Sequence, residues 1–155
     1  MLKRRDIIDI SFQMGCKKDL TQKGMVQNEK GDVFCVASFG YRDGIYVSNG
    51  ILSPRIAKYC GVYSILAKNR FDETNHETRK NIAVKKTDGV NRFVYFYEKR
   101  DDHTNEYYFH GRYKYVSHEM IKSDKYDHKD EVKFTLEFVD RPQVIDYYKE
   151  EIKLF

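Results

Sequence analysis

Residues 91–118 read NRFVYFYEKRDDHTNEYYFHGRYKYVSH, and the fold turns on this stretch. Two runs of large apolar residues interleaved with polar ones, Phe93-Val94-Tyr95-Phe96-Tyr97 and Tyr107 to Val116, flank a polar segment containing Asp101, Asp102, His103, Thr104 and Asn105. Period-two patterning on both sides of such a segment is the signature of a β-hairpin. The second arm places Gly111 between the Phe109-His110 pair and the alternating set Arg112-Tyr113-Lys114-Tyr115-Val116.

Downstream, a polar loop from His118 to Asp130 leads into Val132, Phe134, Leu136 and Phe138, which alternate with Lys133, Thr135, Glu137 and Val139. That spacing predicts a strand with one buried face. After Arg141-Pro142, the tail QVIDYYKEEIKLF sets Val144, Ile145, Tyr148, Ile152 and Phe155 on one helical stripe, which predicts an amphipathic C-terminal helix capping the sheet.

Upstream, Lys85 to Gly89 reads as a charged turn and Asn81-Ile82-Ala83-Val84 as a short strand. The run Lys68 to Lys80 (KNRFDETNHETRK) reads as an exposed loop, and Val62 to Ala67 as another strand. Ser53-Pro54 has the form of a helix start, carrying a short helix through Arg55 to Tyr59 that ends at Gly61. Tyr41 to Gly50 contains the turn dipeptides Asp43-Gly44 and Asn49-Gly50 around a short strand, Ile45 to Val47, and so offers a concave, backbone-rich surface. Val33 to Phe39 (VFCVASF) reads as a buried strand. Leu2 to Phe12, with Ile7, Ile8, Ile10 and Phe12, fits a strand better than a helix. Gly15 to Lys30 reads as a loop with one turn of helix at Leu20 to Lys23, and residues 1–30 leave room for a flexible basic arm.

At 155 residues the chain suits a single domain, 1–155, able to bury its own core. Thirteen tyrosines and ten phenylalanines without a tryptophan favour half-buried strands and binding faces. The net charge of +4 is unevenly spread: residues 1–67 and 68–100 each carry +4 and residues 101–155 carry −4. A basic front of this kind attracts phosphate even at small net charge. Cys16, Cys35 and Cys60 are odd in number and lack zinc-ligand spacing, which points to a reducing, cytoplasmic setting. The charged N-terminus does not read as a signal peptide, and no apolar run reaches membrane-spanning length, so no membrane partner is expected.

Chemistry-bearing motifs are scarce. There is no P-loop, dinucleotide fingerprint or nucleophile elbow, and His76, His103, His110, His118 and His128 form no metal-binding pattern, so neither a catalytic residue nor a cofactor or metal is assigned. His118-Glu119 with Asp124, Asp127, His128 and Asp130 gathers hard ligands that a divalent cation would accept, and this keeps a metal-dependent nuclease as a third reading. Cations interleaved with tyrosines are more informative. They run through Tyr41-Arg42, Arg55, Lys58-Tyr59, Arg70, Arg79-Lys80, Lys85-Lys86, Arg92 and Arg112-Tyr113-Lys114-Tyr115, offering charge for phosphates and π-faces for bases.

Tyr107 to Val116, the variable loop, and Val132-Lys133-Phe134-Thr135-Leu136-Glu137-Phe138-Val139-Asp140-Arg141-Pro142 together resemble the closing half of an SRA-YDG domain. Asn81-Ile82-Ala83-Val84 and Arg92-Phe93-Val94-Tyr95 resemble segments that precede it there. The same residues are equally similar to an SRA-like or B3-like domain of bacterial restriction and helicase proteins. The resemblance covers about 60 residues. It implies a pseudo-barrel that reads double-stranded DNA, often alongside a restriction nuclease, and in the SRA members it implies base flipping, which requires an aromatic clamp and hydrogen bonds to the base edge. The chain departs from the family at its Ser-Gly-Gly-Tyr-Glu-Asp-Asp segment: Tyr41 to Gly50 keeps an aromatic, an acid and glycines but not the order.

The expected fold is α+β and mostly β, a curved sheet or pseudo-barrel (SRA/PUA-like or B3-like) with short helices. The expected function is a DNA-binding reader of a specific or modified base, linked to restriction or defence and to a nuclease subunit or domain. Tyr41, Asp43, Tyr46 and Asn49 would meet the base, and Arg42, Arg55, Lys58, Arg70, Lys85, Lys86 and Arg112 the phosphates. The competing reading is a protein-interaction module or inhibitor using a Tyr-rich sheet face, since Tyr and Arg also dominate protein hot spots.

Overall fold

The computed structural model describes residues 2–38, 50–51, 55–99, 106–122 and 130–142. They form strands β1 (Leu2–Lys3), β2 (Met25–Gln27), β3 (Val33–Ser38), β4 (Gly50–Ile51), β5 (Ile56–Cys60), β6 (Val94–Lys99), β7 (Glu106–Lys122) and β8 (Asp130–Asp140), with helices α1 (Arg4–Gln13), α2 (Leu20–Lys23) and α3 (Arg79–Lys85). The domain is α+β and mostly β. The strands make one mixed sheet in the order β2-β3-β6-β7-β8-β5-β4, with β1 added to β7. Only β3 and β6 run parallel, Val33 to Ser38 against Val94 to Lys99.

The hairpin is present as β6 and β7, paired antiparallel with Val94 opposite Tyr113 and Lys99 opposite Tyr107. A bulge falls between Phe96 and Tyr97, where Gly111 faces Phe96. Gly111 has φ +129, and a Cβ there would stand 2.6 Å from the Asp140 carbonyl oxygen, so this place in the arm requires glycine. The strand through Val132, Phe134 and Leu136 is β8, with these three side chains buried.

The sheet curls strongly. From β3 to β5 the path crosses four strand spacings, about 19 Å if flat. Yet Tyr59 on β5 donates its hydroxyl to the Gly24 carbonyl (2.9 Å), with the Val36 carbonyl of β3 3.2 Å away. A tyrosine can span that gap only if the two ends of the sheet face one another. The described strands do not close: β2 and β4 end the path unpaired with each other.

Inside the curl, Val33, Cys35, Val94, Phe96, Tyr113, Val132, Phe134 and Leu136 pack with Ala83 and Val84 of α3. On the other face, Phe34, Tyr95, Tyr97 and Tyr107 pack against Ile7, Ile10 and Leu20 of the N-terminal helices. Burial on both faces is why β3 and β6 are continuous apolar runs rather than alternating ones.

Five sequence expectations are corrected. Of Leu2 to Phe12 only Leu2 and Lys3 are strand, and Arg4 onwards is helical: the Lys3 N–H donates to Asp6 (2.8 Å) in a capping arrangement, and Ile7, Ile10 and Ser11 are buried at helical spacing while Phe12 is exposed. The residues that follow, read as a loop with room for a basic arm, hold α2 as expected, add β2, and contribute Leu20 and Val26 to the second core. Arg55 to Tyr59 is not a helix but β5, because β8 pairs with it from Ile56–Glu137 to Cys60–Lys133 and Ala57 and Tyr59 turn into the core. Val62 to Ala67 forms no strand, and Asn81 to Val84 lies in α3. The expected Ile45 to Val47 strand and C-terminal helix lie outside the described residues.

A candidate nucleic-acid interface

The polar run 68–80 is not a loose loop. Asp72 accepts from the Lys68 N–H (3.0 Å) and from the Thr74 N–H and hydroxyl (2.9 and 2.7 Å), and these bonds hold its carboxyl below the ordinary value. Buried Thr78 donates its hydroxyl to the Asp72 carbonyl (2.8 Å), and Asn75 accepts from the N–H groups of Glu77 and Thr78. Fully buried Asn81 accepts from the Val62 N–H (2.7 Å) and donates to the Val62 and Arg70 carbonyls (2.8 and 2.7 Å). Side chains thus replace the ladder bonds that this segment lacks, and they fix α3 as one wall of a cleft.

The opposite wall is the turn between β2 and β3. Asn28 accepts from the N–H groups of Lys30 and Asp32 (3.1 and 2.9 Å) and donates to the Met14 carbonyl (2.9 Å), while Asp32 accepts from the Phe93 N–H (3.0 Å). This Asx turn sets Gly31 at φ +90 and brings Arg92 alongside, where a Cβ on Gly31 would stand 2.9 Å from the Arg92 Nε.

Between the walls lies an open cleft of about 860 Å³ in which seven lysines and arginines face two glutamates, Glu29 and Glu73. The β2–β3 side and the loop before it supply Lys17, Lys18 and Lys30, and the α3 side supplies Arg79, Lys80 and Lys86, with Arg92 at the rim. Lys17 pairs with Glu29 (3.0 Å) and Lys18 contacts the His76 Nε2 (3.0 Å). Lys80 is 6% exposed and pairs with Glu77 at 3.5 Å. Burial, with the nearby Lys18 and Lys23 charges, pulls the Lys80 ammonium below its ordinary value against the opposing pull of Glu77. Lys30, Arg79, Lys86 and Arg92 make no ion pair among the described residues.

Of the residues named from sequence, Tyr41, Arg42, Asp43, Tyr46 and Asn49 lie outside the described residues. Lys86 lines the cleft. Arg55 is exposed at the start of β5, and Lys58 bonds the Thr135 hydroxyl between β5 and β8. Arg70 lies 3.9 Å over the Tyr63 ring and donates to the Ser64 carbonyl, and Lys85 lies 4.9 Å over the Phe71 ring. Arg112 donates Nε and Nη2 to Asp140 (2.6 and 2.5 Å) and stacks 3.9 Å over Phe93. The fold therefore spreads these cations over several faces and gathers a different set. Arg79, Lys80 and Arg92 stood among the interleaved cations without a role, and Lys17, Lys18 and Lys30 stood in a segment read as loop. Only the pairing of β2 with β3 and the helical state of 79–85 bring them together.

His118 and Glu119 are on β7, where the Tyr115 hydroxyl and His118 Nδ1 are 2.7 Å apart, and Asp130 opens β8 paired with Lys122 (2.6 Å). Asp124, Asp127 and His128 lie outside the described residues. Among the described residues no group of three or more His, Cys, Asp or Glu side chains is placed to hold a metal, and no helix is long and apolar enough to cross a membrane.

No protein-family model matches the sequence, and no curated protein matches it. Similar solved structures include two of KRYPTONITE. One is a crystal structure of KRYPTONITE in complex with mCHH DNA, H3(1-15) peptide and SAH, with 18% identity over 72% of this chain and a TM-score of 0.45. The other is KRYPTONITE in complex with mCHG DNA and SAH, with 18% identity over 71% of this chain and a TM-score of 0.43. In each comparison the chain spans 23% of the length of the KRYPTONITE chain.

Proposed function

We propose that this chain is a DNA-binding reader domain that recognises a specific or modified base in duplex DNA, in a cytoplasmic restriction or defence setting with a nuclease subunit or domain. The observation that carries the DNA part is the cleft, in which seven cations face two glutamates. Neutralising phosphates releases condensed counterions, so a basic groove is worth most against a polyanion. Lys30, Arg79, Lys86 and Arg92 are the phosphate contacts this geometry favours. Tyr41, Asp43, Tyr46 and Asn49 are the base contacts the SRA-like resemblance favours, with Arg42 beside them. The similar KRYPTONITE chains were crystallised with DNA, but the reading rests on the charge of this chain.

Filter binding of a duplex across a salt series tests the electrostatic part: affinity falls linearly on logarithmic axes with rising salt, and a flat profile rejects the reading. Duplexes carrying plain, methylated or hydroxymethylated cytosine then test base recognition. A second reading, a protein-interaction module, draws on one observation: Ile65 and Leu66 are 75% and 86% exposed at a loop tip. Pull-down with and without nuclease treatment separates it from the first.

A further inference from the structure

We infer that the part of the basic cleft lined by Lys18, His76 and Lys80 is a site for a phosphomonoester, the terminal phosphate of a nucleic-acid strand; this rests on the nucleic-acid reading above.

Lys80 is the one buried cation among the seven that line the cleft. Lys30, Arg79, Lys86 and Arg92 are exposed, as a surface that follows a strand's backbone should be. Lys80 is 6% exposed, and its one ion pair among the described residues, 3.5 Å to Glu77, is with a carboxylate whose own side chain is 41% exposed. A buried ammonium is costly unless well paired, and this one also has Lys18 and Lys23 close enough to repel it. The Lys18 ammonium is 3.0 Å from His76 Nε2, so two cations and an imidazole converge where an anion would relieve the strain between them.

The charge of the cluster selects the kind of phosphate. A backbone diester carries one charge and is flanked by sugars on both sides, so it offers less charge and fewer free oxygens to a cluster of cations. A terminal phosphate is held on one side only, carries a charge of about −1.5 to −2 and presents three acceptor oxygens. The ammonium groups of Lys18 and Lys80 line this part of the cleft together with the imidazole of His76. Charge-assisted bonds of this kind are the strong ones.

The test compares four fluorescent duplexes of one sequence at fixed low salt: 5′-phosphorylated, 3′-phosphorylated, unphosphorylated, and covalently closed at both ends. The expected result is that a phosphorylated end binds about tenfold or more tighter than the hydroxyl end, from at least one added charge-assisted bond. Lys80→Met abolishes that preference, so that the phosphorylated and hydroxyl ends bind alike. Lys18→Gln with His76→Gln, both at exposed positions, does the same and covers the case in which Lys80→Met fails to fold. Equal binding of all four duplexes overturns the strand-end site and leaves DNA binding intact. Displacement of the phosphorylated duplex by inorganic phosphate at equal concentration overturns the strand as the source. Binding to none of the four removes the nucleic-acid reading, and the inference with it.

Discussion

The Tyr59 hydroxyl donates to the Gly24 carbonyl at 2.9 Å, joining β5 to the turn before β2 across the inside of the curled sheet. Tyr59→Phe keeps the ring and its edge contact with Phe96 (6.1 Å between centroids) and removes the hydroxyl with its bonds to the Gly24 and Val36 carbonyls. Gly24 still accepts from the Val36 N–H (2.9 Å), so its carbonyl is not orphaned. The expected cost is about 1 kcal/mol, read as a lower urea midpoint. An unchanged midpoint would show that the sheet holds its curl without the tie.

Gly61 is a packing glycine. A Cβ there would stand 2.5 Å from the Asn81 Oδ1 and 2.9 Å from Phe134 Cε2, and would also strike Val132. Gly61→Ala must push Asn81 off the Val62 backbone or shift β8. A loss of about 1–3 kcal/mol is expected, together with faster amide exchange at Val62. A variant of wild-type stability contradicts the close approach.

Asp88 accepts from the N–H groups of Val90, Asn91 and Arg92 (2.9, 2.8 and 3.1 Å), and these bonds lower its carboxyl to about 2. Its folded value is below its unfolded value of about 3.9, so the stability it contributes is complete above pH of about 4 and drains as pH falls towards 2. Asp88→Asn should therefore be less stable than wild type at pH 6 and converge on it by pH 2. Parallel stability curves through that window would exclude this role.

Tyr97 is fully buried on β6, and among the described residues its hydroxyl has no hydrogen-bond partner. Burial pushes its ionisation well above the ordinary tyrosine value. Tyr97→Phe relieves an unsatisfied group at constant shape, so a gain of about 1 kcal/mol is expected in chemical unfolding. Destabilisation of similar size would mean that the hydroxyl has a partner.

Arg79→Gln with Lys86→Gln removes two exposed cations from the cleft. The slope of log affinity against log salt for a duplex should become shallower by about two, with thermal stability unchanged. Arg55→Gln, on a different element, serves as the control. A slope that responds equally to all three substitutions would place the charge effect outside the cleft.

The sheet was legible because period-two patterning is strong where one face is wet, as in β8, and because runs such as Val33 to Ser38 are apolar where both faces are covered. What misled was short range. Ile7, Ile8, Ile10 and Phe12 satisfy two periods at once, and only Asp6 capping Lys3 and the exposure of Phe12 decide for the helix. Asn81 to Val84 is too short for its period to show, and its helical state depends on Asn81 bonding residues 62 and 70. The cleft was less legible still. Its cations come from segments up to about 70 residues apart, and no local pattern marks Lys18 and His76 as neighbours. Interleaved tyrosine and lysine pointed to the right chemistry but distributed it along strands, where Arg112 and Lys58 already have partners.

The single parallel pair, β3 beside β6, sets a kinetic order. Strands β6, β7 and β8 follow one another along the chain as antiparallel neighbours, so each can zip from a local loop. Strand β3 must find β6 across a separation of 61 positions, Val33 against Val94, and closing so long a loop is paid in entropy before any contact rewards it. Docking of β3 is then the late event in folding. Truncations at Val33 should mainly speed unfolding and those at Val132 mainly slow folding, and the reverse pattern would show that the parallel pair nucleates the domain.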